Sequence, residues 1–136
     1  MKYLIYLVLT LACSNLMSSE IVSYGVYDRE RNHIETTDKI SAGGLYSVGF
    51  CFNVQIESPD GRLTFVETIK HPLIVKKNGI ESIGYSVPRK YDVLNKKVKG
   101  CLVFDAERAD DLAVGLWEFS ISHGGFDIIK KVFTVE

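Results

Sequence analysis

Val48-Gly49-Phe50-Cys51-Phe52-Asn53-Val54-Gln55-Ile56 alternates a large apolar residue with a small or polar one along its whole length. A period of two residues is that of an extended strand with one face on a core and the other toward solvent. The segment fixes the fold class, because its neighbours repeat the pattern. Ser58-Pro59-Asp60-Gly61 supplies reverse-turn residues, and Leu63, Phe65 and Ile69 open a second strand. Asn78-Gly79, between Leu73 to Lys77 and Ile80 to Val87, tolerates positive φ at both turn positions and predicts a hairpin. Val98, Gly100, Leu102 and Phe104 alternate again, as do Trp117, Phe119 and Ile121. His123-Gly124-Gly125 turns the chain into a last strand, Phe126 to Val135.

With Ile21 to Tyr27 these make about seven to eight short strands, and no stretch sustains a period of 3.6. The expectation is an all-β, immunoglobulin-like antiparallel sandwich forming a single domain over residues 20–136. Its core is expected from Phe50, Phe52, Leu102, Phe104, Trp117, Phe119 and Phe133. Asp28 to Asp38 is the most polar segment and reads as an exposed loop, and Asp105 to Leu112 reads as a connection between sheets with room for one helical turn.

Ahead of the domain, Met1-Lys2 carries one positive charge, and Tyr3 to Ala12 is an uncharged apolar run too short for a membrane span. Residues 1–12 are therefore expected to be a signal peptide, with export to the periplasm, a membrane-anchored state or secretion. Ala12-Cys13 resembles a bacterial lipoprotein signal, in which Cys13 is acylated. Leu11 and Ala12 fit that pattern and Thr10 does not. Small residues after Ser14 or around Ser18-Ser19 offer an ordinary signal peptidase a later cut, as late as 19.

A family resemblance spans most of the chain after this leader. Ile21-Val22-Ser23-Tyr24-Gly25-Val26-Tyr27, Thr37-Asp38-Lys39-Ile40, Asp111 to Phe119 and Val132-Phe133-Thr134-Val135 resemble the bacterial family catalogued as domain of unknown function 3859. The resemblance implies an exported β domain and supplies no catalytic residues. Cys51 and Cys101 are not part of it.

The function classes narrow by exclusion. A net charge of -1, with Lys and Arg scattered as short pairs, offers no stripe to neutralise a run of phosphates, so nucleic acid is not an expected partner. His33, His71 and His123 stand alone in their segments and read as loop residues, with no metal-ligand spacing. Asp105, Glu107, Asp110 and Asp111 lack the alternate spacing and the Gly of a calcium loop. Ser120, Ser122 and His123 lie on or beside a strand without a nucleophile elbow. The reading is a non-enzymatic envelope module, with no catalytic, cofactor or metal residues, that binds an unknown protein or envelope component and touches membrane only through a lipid anchor. The alternative is a small-ligand or metal-binding periplasmic protein, and a hydrolase stands third.

Cys51 and Cys101 survive either mode of processing. In an oxidising compartment they form an even pair, and both alternate away from the core face. They either bond across neighbouring strands of one sheet, which needs Cα atoms within about 7 Å, or remain two separate thiols.

Overall fold

A computed structural model of the chain describes residues 18–136. Residues 1–12, expected to be a signal peptide, and Cys13 lie outside the described residues. Nine strands follow in order: β1 (Ser18–Tyr27), β2 (His33–Glu35), β3 (Lys39–Ile40), β4 (Ser47–Gln55), β5 (Gly61–Val75), β6 (Glu81–Val93), β7 (Lys97–Asp105), β8 (Gly115–His123) and β9 (Phe126–Val135). They form a sandwich of two sheets, one ordered β2-β1-β4-β7 and the other β3-β9-β8-β5-β6. Among the described residues there is no helix.

The alternation at 48–56 does what its period requires. Val48, Phe50, Phe52, Val54 and Ile56 are all buried, while Gln55 faces solvent and Cys51 and Asn53 are half-buried. From the facing sheet, Phe65 and Ile69 on β5, Trp117, Phe119 and Ile121 on β8, and Ile129 and Phe133 on β9 complete one core. Aromatic rings meet edge to face inside it, with Phe119 and Phe133 centroids 5.2 Å apart. The expected core residues Phe50, Phe52, Leu102, Trp117, Phe119 and Phe133 are buried there.

Phe104 is a correction. It is only partly buried and packs against the margin of the core, because it sits next to the last residue of edge strand β7, where no further strand covers it. Four further differences trace to local geometry. The segments around 63–69 and 73–77 are one strand, β5, carried through a bulge between Lys70 and Ile74. The polar loop 28–38 contains β2, three exposed residues held by pairing with β1. β3 pairs with β9 in parallel, so the sandwich is antiparallel everywhere except at that two-residue edge. Residues 106–114 make no helical turn, since the Asp111 carboxylate accepts the Glu107 and Arg108 N–H groups and shapes a compact loop instead.

The two cysteines lie directly opposite each other on β4 and β7 and are joined in a disulfide, with Cα atoms 3.9 Å apart. The bond lies on the outer face of the four-stranded sheet, where Cys101 is exposed.

At one end of the sandwich the β5–β6 hairpin tip, the β7–β8 connection and the segment between β1 and β4 come together. That end carries a cleft.

Candidate functional site

The cleft has a volume of about 760 Å³ and runs between the β5–β6 hairpin and the β7–β8 connection. Its formation begins with the bulge in β5. Between the pairs Lys70–Gly84 and Ile74–Ser82, β5 carries two more residues than β6, and His71-Pro72-Leu73 absorb the excess. Pro72 is tolerated because a bulged residue gives up its ladder hydrogen bond. His71 keeps the inward phase of Phe65, Glu67 and Ile69 and is buried, its ring 4.7 Å from that of Trp117 and 6.0 Å from that of Phe104, and the bulge after it shifts the phase so that Ile74 faces inward next. Trp117 closes the floor, its Nε1–H donating to the Ala113 carbonyl at 2.8 Å. Ile74, Tyr85 and Phe104 add apolar surface.

One wall is the hairpin tip. The Lys76 and Ile80 backbones bond at 2.8 Å and the Asn78 side chain accepts the Ile80 N–H, which presents Lys76 and Lys77 to the cleft. The opposite wall is Phe104, Asp105, Glu107, Arg108 and Asp111. The carboxylates around this wall are mostly committed to structure. Arg31 grips Asp105 with two hydrogen bonds, at 2.6 and 3.0 Å, and the Ser47 hydroxyl also donates to it. The Arg31 hydrogen bond holds the Asp105 carboxyl below its ordinary range, with the Ser47 bond adding to the effect. Arg108 pairs with Asp110 at 2.8 Å, and Asp111 caps its own loop. Cations and carboxylates thus balance around the cleft, which is no trap for polyanions.

A second polar group lies on the inner face of β5. Glu67 follows the phase of Phe65 and Ile69 and is buried with them, about 4% exposed. Its carboxylate accepts a hydrogen bond from Arg89 at 2.8 Å and another from the Tyr91 hydroxyl. Burial, and then that bond to Glu67, push the Tyr91 phenol far above its ordinary value. Tyr85 is raised as well, first by burial and then by the Glu67 charge. Sequence reading missed this group, although the alternation Phe65, Glu67, Ile69 already carried the signal of an inward carboxylate.

None of the three histidines is in a loop: His33 is on β2, His71 on β5 and His123 at the end of β8. They do not converge. His33 belongs to the other sheet, where its Nε2 lies 2.9 Å from the Tyr24 carbonyl. In the β5–β8 register His123 falls beside Phe65, six residues along β5 from His71, a separation of roughly 20 Å at strand rise. Among the described residues no three His, Cys, Asp or Glu gather as metal ligands. The Ser122 hydroxyl donates to the Val66 carbonyl and His123 Nδ1 faces the Thr64 carbonyl, so the two are not engaged with each other.

Solved structures place this architecture. An immunoglobulin-like protein from Pseudomonas aeruginosa superposes with a TM-score of 0.67 over 88% of this chain and 97% of that one, at 18% identity. The fold is immunoglobulin-like. Two larger enzymes contain a similar domain. A Pseudomonas fluorescens alkylpurine DNA glycosylase bound to abasic-site DNA matches at TM-score 0.52 and 12% identity, over 87% of this chain and 30% of the enzyme. A Listeria innocua β-glucosidase in complex with glucose matches at 0.54 and 9%, over 89% of this chain and 16% of the enzyme. These identities show the fold alone. No family model matches the chain, and no curated protein does.

Proposed function

We propose that the domain is a non-enzymatic binding module of the bacterial cell envelope that holds a protein partner at the cleft end of the sandwich. The observation that carries this reading is the surface of the β5–β6 hairpin. Leu73, Val75, Ile80 and Ile83 are each more than half exposed on the hairpin that forms one wall of the cleft, and exposed apolar surface of that kind commonly marks an interaction site. The balanced charge of the rim suits a polypeptide better than a polyanion. The polar groups that might do chemistry are spent on structure: Asp105 on Arg31, Asp111 on its loop, Glu67 on Arg89 and Tyr91. The resemblance to domain of unknown function 3859 implies an exported β domain, and the apolar run Tyr3 to Ala12 followed by Cys13 supports an envelope location.

Capture from the envelope of the source cells on immobilised wild type, Ile83→Asp and Lys76→Glu tests it. A partner enriched by the wild type, confirmed reciprocally and lost with both variants, supports the reading. A partner held equally by all three, or none above background, refutes it.

A further inference from the structure

The sandwich has four sheet edges, and three are blunted. β2 covers only Val26 and Tyr27 of β1, whose remaining edge is interrupted by a register shift between Ile21 and Ser23, and β3 covers only Thr134 and Val135 of β9, whose remaining edge is interrupted by a shift between Asp127 and Ile129. β6 is long, but Gly84 breaks it with a φ of 136°, and Pro88, Arg89 and Lys90 follow. A Cβ at 84 would collide with the Ile69 carbonyl, so that irregularity is built in. Glycine kinks, proline and charge are the devices by which edges avoid pairing. The fourth edge, β7, carries charged side chains and Gly100, but its backbone has neither a kink nor a residue of positive φ. It pairs with β4 at nine successive positions without a register shift and contains no proline.

The ladder shows which backbone groups that edge presents. Just past each end of the strand, Ala106 N–H donates to the Tyr46 carbonyl and Ile56 N–H to the Lys96 carbonyl. Even-numbered residues of β7 therefore bond to β4, and odd-numbered ones point away from it. The close approach of Cys51 and Cys101 belongs to the same phase, since pairs that exchange no hydrogen bonds bring their Cα atoms nearest. Lys97 spends its outward N–H and carbonyl on Leu94 in the β6–β7 turn. Lys99, Cys101, Val103 and Asp105 remain, and among the described residues no strand pairs with that side of β7.

We propose that β7 is a homodimer edge, pairing antiparallel with β7 of a second copy about a twofold axis at Leu102. This register matches the outward groups of both strands: Lys99 faces the partner's Asp105, and Cys101 the partner's Val103, each pair exchanging two backbone hydrogen bonds. The charges select this arrangement. Lys99 meets the half-exposed Asp105 carboxylate, which already pairs with Arg31 of its own chain, at both ends of the interface, whereas in-register parallel pairing would set Lys99 on Lys99. The pattern is self-complementary, as an isologous interface requires. It uses the edge of the four-stranded sheet, reaches the cleft only at Asp105, and involves none of the hairpin residues on which the binding role proposed above rests. A seven-residue strand pair buries less than a standard interface, so the dimer is weak and concentration-dependent.

Sedimentation equilibrium of the purified protein over roughly 5 to 500 µM spans the affinities such an interface permits. The wild type should pass from monomer to dimer. Val103→Pro removes an outward N–H and leaves the β4 ladder whole, so it should raise the dimer dissociation constant about tenfold or more. Lys99→Glu sets a like charge against the partner's Asp105 and should do the same. It lies on an exposed side chain, and so carries the test if the proline variant fails to fold. Carbodiimide coupling should join Lys99 of one copy to Asp105 of the other. A monomer at every concentration, a dimer indifferent to Lys99→Glu, or coupling only at other residues overturns the proposal.

Discussion

Removing the Cys51–Cys101 bond should lower stability by several kcal/mol without disturbing the core. The half-cystines stand 50 positions apart and sit on the outer face of their sheet, opposite the side that buries Phe50, Phe52 and Leu102. Cys101 is exposed and Cys51 half-buried, so replacing both with Ala forfeits little packing. The loss acts mainly on the unfolded chain, which regains the freedom that closing a loop of this length had removed. In the loop-entropy account that freedom is worth about 4 kcal/mol at 25 °C. A small domain has about 5 to 15 kcal/mol in all.

Urea unfolding of the wild type and of Cys51→Ala/Cys101→Ala measures the effect. With a slope of about 2 kcal/mol per molar urea, the midpoint should fall by about 2 M. The slope itself should rise, because the uncrosslinked chain exposes more surface. The near-ultraviolet circular dichroism of the folded double variant should match the wild type, since Trp117 and its neighbours are untouched. A midpoint shift below about 0.3 M would refute the reasoning, for the bond would then constrain nothing that the β4–β7 ladder does not already hold.

Trp117→Ala should cost about 3 to 5 kcal/mol, seen as a large drop in melting temperature, because it empties the contact among His71, Phe104 and Phe119 and frees the Ala113 carbonyl; melting within a degree or two of wild type would place Trp117 outside the core. Arg31→Ala should destabilise the protein at neutral pH and lose its effect in acid. The Asp105 carboxyl is held low in the folded state, so its contribution is present above the ordinary carboxylate range and disappears as pH falls through the lowered value; a gap between the two proteins that persists unchanged at pH 2 contradicts this. Tyr91 should stay neutral while exposed tyrosines ionise, and its contribution, present below the ordinary tyrosine value, should be lost as pH rises above it toward the raised one. Tyr91→Phe should flatten that alkaline loss, followed by tyrosinate absorbance and melting. Metabolic labelling with a palmitate analogue should mark the wild type and not Cys13→Ser, and equal labelling of both would remove the lipoprotein reading.

The fold was readable in this sequence because its main strands are half-buried and antiparallel, which imposes a period of two on the residues themselves. Val48 to Ile56 shows it most fully, and Trp117, Phe119 and Ile121 repeat it; all eight of their apolar positions are buried. The turns were readable where one conformation is demanded, as at Asn78-Gly79 and at Gly124-Gly125, whose φ values are 59° and 83°. The short edges were not. β2 pairs with just the last two residues of β1 and β3 is held by β9, far away in sequence, and nothing in His33-Ile34-Glu35 or Lys39-Ile40 distinguishes two or three paired residues from loop.

The cleft was unreadable for a related reason. Its floor depends on a bulge, and a bulge is a mismatch between two strands, so the residues of one strand cannot announce it. His71 read as a loop residue because it stands alone in its segment, and Pro72, a residue that usually ends a strand, here marks the place where β5 skips register and continues. Glu67 shows the converse. Its phase on β5 said inward while its charge said outward, and the tie was broken by Arg89 and Tyr91, more than twenty residues later on the neighbouring strand. Burying a carboxylate requires partners in place, and strand pairing supplies them: with Val87 opposite Glu67, residues two and four further along β6 lie within reach of the same carboxylate. A charged residue in the apolar phase of a strand is therefore a reason to search the neighbouring strand for its donors before discarding the strand, and on this chain that search ends at the alternation Tyr85, Val87, Arg89, Tyr91.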